Sequence, residues 1–240
     1  MTTKAYKRIL LKLSGEALMG DSDYGIKPDV LARIAAELKE LVDTGIELAL
    51  VVGGGNIFRG ISSSAQGMDR PTADYMGMLA TVMNAMALAD ALKQLGVDTH
   101  VLSGLEIRSV VESYARERAI DLLKQKSVVI FGAGTGNPFF TTDTAASLRG
   151  LEIDAEVVFK ATKVDGVFDR DPAKHADAKR FEELTYDEVL EKRLGVMDAT
   201  AIALCRDNNM PLRVINLNKP GSLLRAARGE REGTLVKSGA

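Results

Sequence analysis

Ile46-Glu47-Leu48-Ala49-Leu50-Val51-Val52-Gly53-Gly54-Gly55 is the stretch on which the fold turns. Only Glu47 interrupts its apolar run. It lacks the alternation of a half-exposed strand, and glycines stop it at once. A short continuous apolar run of this kind is expected of a strand buried on both faces, the situation of a parallel sheet covered by helices.

Working outward, residues 9–13 read as a strand that ends at Ser14-Gly15. Residues 28–42 read as a helix, with Pro28 in its first turn and Leu31, Ile34, Ala35, Leu38 and Leu41 on one face. Downstream come a long helix over 72–95 closed by Gly96, a strand over 97–102, a helix over 112–123 and a strand over 128–131. A loop rich in glycine and threonine (132–142) leads to a short helix over 143–149 and a strand over 155–160. Helices over 187–194 and 198–208, a strand over 212–216, a helix over 222–228 and a last edge strand over 234–236 complete the chain. Strands alternating with helices imply a three-layer α/β/α sandwich with a mainly parallel central sheet. No internal repeat or low-complexity linker divides residues 1–240, which read as one domain. The charged segment 169–179, with Pro172, is the best candidate boundary between two lobes.

The 240 residues are 46% hydrophobic and 27% charged, an ordinary globular composition that excludes disorder as the main state. A net charge of −2 argues against a general binder of nucleic acid or membrane surface, while leaving room for a local basic site. Cys205 is the only cysteine, which excludes an intramolecular disulfide and a cysteine metal cluster. No signal-peptide core follows the basic Lys4, Lys7 and Arg8, and the uncharged stretch 75–89 is short for a bilayer and contains Thr81 and Asn84. The expected location is the cytoplasm.

In open α/β sheets, ligands bind beyond the carboxyl ends of the strands. Four such ends carry unusual residues: Lys12-Leu13-Ser14-Gly15, Gly53-Gly54-Gly55-Asn56, the 132–142 loop, and Lys160-Ala161-Thr162-Lys163. Glycine- and hydroxyl-rich loops present backbone N–H groups to phosphate without obstruction. Lys12 is either an edge-strand lysine reaching solvent or a functional cation, and Ser14-Gly15 directly after it favours the second. Three glycines in succession exceed what a turn requires, and Arg59 can give phosphate a bidentate contact. Two familiar phosphate motifs fail. Gly15 and Gly20 have the Walker A spacing, but Asp21 stands where the lysine must be, and no G-x-G-x-x-G opens the first helix.

The most distinctive passage is Thr135-Gly136-Asn137-Pro138-Phe139-Phe140-Thr141-Thr142-Asp143. Thr141 or Thr142 can cap the following helix. The same groups can hold a phosphate or a polar base edge, with Phe139 and Phe140 as a pocket wall. The competing reading is a capped helix with two core phenylalanines. Asp143 is favourable at a helix N-terminus in any case and can also orient Lys12 and Lys160. Farther on, Thr162, Phe168 and Asp171 can grip a nucleoside, while Lys163 reads as solvated.

Taken together, Lys12-Leu13-Ser14-Gly15, Gly53-Gly54-Gly55-Asn56-x-Phe58-Arg59, the 135–143 passage and residues 160–172 resemble the bacterial uridylate kinases of the amino acid kinase superfamily, collinearly over nearly the whole chain. The resemblance implies ATP + UMP → ADP + UDP by direct in-line transfer with Mg²⁺, in pyrimidine nucleotide biosynthesis. It implies a UMP lobe over roughly 1–155 and an ATP lobe over roughly 156–240. Lys12, Lys160 and Asp143 would be catalytic. Lys12, Leu13, Ser14, Gly15, Gly55 and Arg59 would hold ATP phosphates, and Thr162, Phe168 and Asp171 its nucleoside. Gly54 and Asp74 would contact UMP, and Thr135, Gly136, Asn137, Pro138, Phe139, Phe140, Thr141 and Thr142 would wrap its base and phosphate.

The resemblance also implies a homohexamer, GTP as activator and UTP as inhibitor. The segment of Gly20, Asp21, Ser22, Asp23, Tyr24 and Gly25 corresponds to one implicated in activation. The Mg²⁺ ligands are not identified. On the helix over 72–95, Met76, Leu79, Met83 and Met86 form one apolar stripe, and Met78, Val82, Ala85, Leu88 and Leu92 another. A helix apolar all round must be covered on every side, so it is expected to serve as a subunit seam.

Overall fold

The computed structural model describes residues 5–59 and 67–239. A nine-stranded sheet forms the middle layer, in the order β4-β3-β5-β2-β1-β6-β8-β9-β7. Its strands are β1 (Arg8–Leu13), β2 (Glu47–Val52), β3 (Thr99–Ser103), β4 (Glu112–Ser113), β5 (Val128–Gly132), β6 (Val157–Thr162), β7 (Glu183–Thr185), β8 (Leu212–Asn216) and β9 (Thr234–Lys237). All neighbouring strands run parallel except β8 and β9.

The helices are α1 (Pro28–Val42), α2 (Arg70–Gln94), α3 (Arg116–Lys124), α4 (Thr142–Glu152), α5 (Tyr186–Glu191), α6 (Ala199–Asp207) and α7 (Ser222–Ala227). They cover both faces of the sheet. Ile9, Leu11 and Leu13 of β1 pack with α1, α2 and α7, while Leu10 packs on the other face with α3, α4, α5 and α6. The central strands are buried on both sides, as their unbroken apolar sequences require. The expected α/β/α sandwich is thus the observed one.

Two elements differ from the sequence reading. The helix expected over 112–123 begins only at Arg116. Glu112 and Ser113 instead pair with Leu102 and Ser103, and the Tyr114 N–H donates to the Ser103 carbonyl at 2.9 Å. A sheet edge captured residues whose local pattern suits a helix. The strand at the C-terminal end is real but is not at the edge. β7, three residues long, pairs outside it and leads directly into α5 through a capping box between Thr185 and Glu188.

The two apolar stripes of α2 separate. Met78, Val82, Ala85, Leu88 and Leu92 are buried against the sheet and its neighbours. Tyr75, Met76, Leu79, Met83 and Met86 are exposed, Met83 by 55%. Over its full 25 residues α2 is apolar enough to cross a membrane by length and composition, more than the 75–89 stretch suggested. In the fold it is a core helix, with half of its most apolar window buried.

The topology singles out one crevice. From β1 the chain runs to one side of the sheet, where β2, β5, β3 and β4 lie in that spatial order, and from β6 it runs to the other side, to β8. The crevice at the carboxyl ends of β1 and β6 is therefore the switch point of the sheet.

Candidate active site

Lys12 and Lys160 stand opposite one another in the β1–β6 register, each near the carboxyl end of its strand. Lys12 is only 8% exposed. β1 lies in the middle of the sheet, which removes the reading of an edge lysine reaching solvent. A buried ammonium needs a counter-charge, and Asp143 supplies it to both lysines. Its Oδ1 lies 2.9 Å from Lys12 Nζ and its Oδ2 2.8 Å from Lys160 Nζ. Lys160 also donates to the Val196 carbonyl.

Burial opposes the charge of Asp143, but the ammonium groups of Lys12 and Lys160 prevail and hold its carboxyl below the usual carboxylate range. Burial lowers the pKa of Lys160, against the pull of Asp143, and the nearby charge of Lys12 adds to the lowering. Thr141 caps α4 by accepting from the Asp143 N–H at 3.0 Å, which fixes where the carboxylate sits. Asp198, at the N-cap of α6, accepts from Thr141 Oγ1 and from Thr144 Oγ1 (3.1 Å), so the start of α4 is held from a second helix.

Two clefts lie near this trio, of whose members Lys160 alone lines one. The first, of about 360 Å³, is lined by Gly54, Gly55, Arg59, Asp74, Thr135, Asn137, Phe140, Thr141 and Thr142. The second, of about 430 Å³, is lined by Lys160, Thr162, Phe168, Asp171 and Pro172. Lys160 belongs to the second cleft, and Thr142, the neighbour of Asp143, belongs to the first. Ser14, Gly20, Asp21 and Thr162 line a further depression on the side of β1. Lys163 is exposed, in keeping with a solvated side chain.

The glycine turn is close-packed, but not uniformly. A Cβ on Gly54 would stand 2.8 Å from the Gly77 carbonyl oxygen and 2.9 Å from Ala80 Cβ. One on Gly53 would meet the Gly15 nitrogen at 2.8 Å. Gly55 has nothing within 4 Å of that position, although it too lines the first cleft. Among the described residues, the N–H groups of Gly54 and Gly55 donate to no acceptor in the chain. Arg59 Nη2 pairs with Glu16 Oε1 at 2.6 Å.

The capping half of the competing reading of the 135–143 passage holds, through Thr141, but its two phenylalanines are not core residues. Phe139 is 66% exposed and Phe140 50%. Phe139 has a φ of +72°, and its N–H donates to Asp74 Oδ2 at 2.8 Å. Arg70 Nε donates to the same carboxylate at 2.8 Å, and its guanidinium lies 5.7 Å from the centre of the Phe139 ring. Asp74 thus ties this loop to the start of α2. Gly136, Pro138 and Phe139 belong to the loop but do not line the cleft. Gly136 has a φ of +79°, and a Cβ there would meet the Gly104 carbonyl at 2.5 Å, so only glycine closes the turn.

Sequence reasoning missed Asp198, Arg70, Glu16 and Gly77. A glycine in the middle of a helix is the signal that would have found Gly77, which lines the first cleft. An Asp one residue before an apolar helix would have found Asp198 as a cap. The pairings of Arg70 and Glu16 leave no such trace.

Two facing cations at the carboxyl ends of parallel strands suit a phosphotransferase of the α/β sandwich class. A model of the amino acid kinase family matches residues 7–216. A uridylate kinase of Ectopseudomonas mendocina (strain ymp) is 61% identical over 235 residues, covering 98% of this chain and 95% of that protein. One of Pseudomonas fluorescens is 60% identical over 234 residues, with the same coverage. The crystal structure of UMP kinase from Bacillus anthracis superposes with a TM-score of 0.95 at 39% identity, covering 99% of this chain and 98% of that one. That of UMP kinase from Ureaplasma parvum gives 0.91 at 35%, covering 97% and 99%. The chain belongs to the amino acid kinase family, and within it to the uridylate kinases.

Proposed function

We propose that this enzyme transfers the γ-phosphoryl group of ATP to UMP, giving ADP and UDP, by direct in-line displacement. The observation that carries the reading is the buried Lys12–Asp143–Lys160 trio at the carboxyl ends of β1 and β6. UMP takes the first cleft, in the lobe over roughly 1–155, and the nucleoside of ATP the second, in the lobe over roughly 156–240, with the ATP phosphates reaching past β1 toward Gly55 and Arg59 at the rim of the first cleft.

Phosphoryl transfer asks for positioning and charge neutralisation more than for covalent chemistry. Lys12 sits centrally, where the transferred group passes, with Lys160 on the side of the leaving phosphate. Asp143 holds both ammonium groups in place and needs no contact with the phosphates. The N–H groups of Gly54 and Gly55 are left for anionic oxygens. With no Cβ contact around Gly55, a ligand can approach its backbone closely. Leu13, Ser14, Gly15 and Arg59 complete the grip on the ATP phosphates, and Thr162, Phe168 and Asp171 that on its nucleoside. Asp74 and the loop of residues 135–142 hold UMP.

Among the described residues, no group of three or more carboxylate, His or Cys side chains gathers to hold a metal. Mg²⁺ would enter with ATP, bound chiefly by its phosphates. The exposed α2 stripe supports assembly through that face, in a homohexamer. GTP activation through residues 20–25, UTP inhibition and a cytoplasmic setting complete the proposal.

ADP release with ATP, Mg²⁺ and, in turn, UMP, CMP, AMP and N-acetylglutamate is the test. Turnover with UMP alone is expected. No turnover with UMP, from folded protein, overturns the reading.

A further inference from the structure

Asn84 lies in the middle of α2, is fully buried and lines neither cleft. Burying a primary amide in an apolar helix is costly unless each of its polar atoms finds a partner. Here the partner is another buried amide. Asn84 Nδ2 donates to Asn56 Oδ1 at 2.7 Å, and Asn56 Nδ2 donates back to Asn84 Oδ1 at 3.1 Å, closing a ring of two hydrogen bonds. The remaining N–H of Asn84 reaches the Gly53 carbonyl at 2.6 Å, and that of Asn56 the Gly25 carbonyl at 3.0 Å. The Gly25 N–H donates to the Asn56 carbonyl at 2.8 Å. Gly15 completes the contact, since a Cβ on it would stand 2.4 Å from Asn56 Oδ1.

One amide pair therefore fixes three chain segments at once: the turn after β1, the glycine turn after β2, and Gly25. The first two carry the groups assigned above to the phosphates. We propose that Asn84 is a positioning residue for phosphoryl transfer. It acts through Asn56 to set the spacing between Gly15 and residues 53–55, and it touches neither substrate. The inference rests on the kinase reading for its effect on rate, but not for its effect on the loop. A leucine at 84 would keep the branch at Cγ, add some bulk and orphan the Asn56 amide, so the loop would lose its register.

The experiment is a double-mutant cycle with Asn56→Ala, Asn84→Ala and the double variant, joined by Asn84→Leu and Asn84→Ser. Because small misplacements of reacting groups cost up to about 100-fold, kcat per folded site is expected to fall roughly 10- to 100-fold, with both KM values changed less than about threefold. The double variant is expected to be no slower than the slower single one, since the two amides act as a unit. Additive losses in the cycle, or kcat unchanged in Asn84→Ser and Asn84→Leu, overturn the proposal. Amide exchange needs no turnover. Peptides covering Gly15, Gly25 and residues 53–55 are expected to exchange at least about tenfold faster in the Asn84 variants. Unchanged exchange there overturns the proposal even for a wild type inactive on UMP, an inactivity that by itself overturns only the substrate reading. Should Asn84→Leu fail to fold, Asn84→Ser carries both measurements.

Discussion

Lys12 and Lys160 are register partners on neighbouring parallel strands, and their ammonium groups take one oxygen each of a single carboxylate, Asp143. Two like charges this close, both largely buried, would repel without the shared anion. The arrangement keeps two cations at the switch point of the sheet before any phosphate arrives, so little reorganisation is left for the moment of transfer.

Removal of either cation is expected to strike the transition state more than the fold. For Lys12→Ala, kcat is expected to fall by at least about 100-fold, since charge stabilisation aimed at the transferred group is lost. Steady-state kinetics at saturating UMP and ATP measures it, and near-normal turnover would remove Lys12 from the mechanism.

Asp143 ties stability to pH. Burial works against its ionisation, but the two lysines hold its folded-state pKa below the ordinary value, near 3.9 in an unfolded chain. The ionised carboxylate therefore stabilises the fold above about pH 4, and this contribution is lost as pH falls through the lower folded value. Urea midpoints from pH 7 downward are expected to drop less steeply in Asp143→Asn than in wild type. Identical acid limbs would contradict the pairing.

Neighbouring glycines are expected to fail in different ways. In Gly54→Ala the new methyl group meets the Gly77 carbonyl and Ala80, and overpacking of this kind costs about 1–3 kcal/mol of stability. In Gly55→Ala it meets nothing in the protein, so stability is expected to change by less than about 0.5 kcal/mol. Its effect is expected in a nucleotide KM, raised about tenfold by the lost close approach, which corresponds to about 1.4 kcal/mol. Thermal melts beside kinetics separate the two.

The exposed stripe of α2 gives a test of assembly. Met83→Glu places a charge in the middle of an apolar face that is exposed in the single chain. The variant is expected to fold and to elute with a smaller mass than wild type in size-exclusion chromatography with light scattering. An unchanged mass would exclude this face as a seam.

Cys205 is buried, its Sγ donates to Ser147 Oγ at 3.2 Å, and burial raises its pKa. Thiolate is the reactive form. Labelling by an aromatic disulfide reagent is expected to be at least about 100-fold slower in the native protein than in urea.

Much of this was legible in the chain. The apolar run of residues 46–52, the glycines after it and the alternation of strand and helix determined a parallel sheet between helical layers, because a strand buried on both faces carries a polar side chain only where that side chain finds a partner. The same pattern marked Lys12 and Lys160 as exceptions, for a lysine in an apolar strand needs a reason. The passage through Phe139 and Asp143 stood out by composition alone. What the residues could not reveal was contact across the fold. Whether Lys12 faced solvent or an anion depended on which strands flank β1, and pairing order is a long-range property. The loop of residues 135–142 is shaped by Asp74 and Gly104, far away in sequence. The two stripes of α2 are equally apolar, and only the position of the sheet decided which one is buried. Asn84, an ordinary polar residue in the sequence, acquired its partner only when α2 came to lie against the glycine turn. Local pattern fixes what each segment buries, whereas the tertiary structure alone decides which buried groups meet.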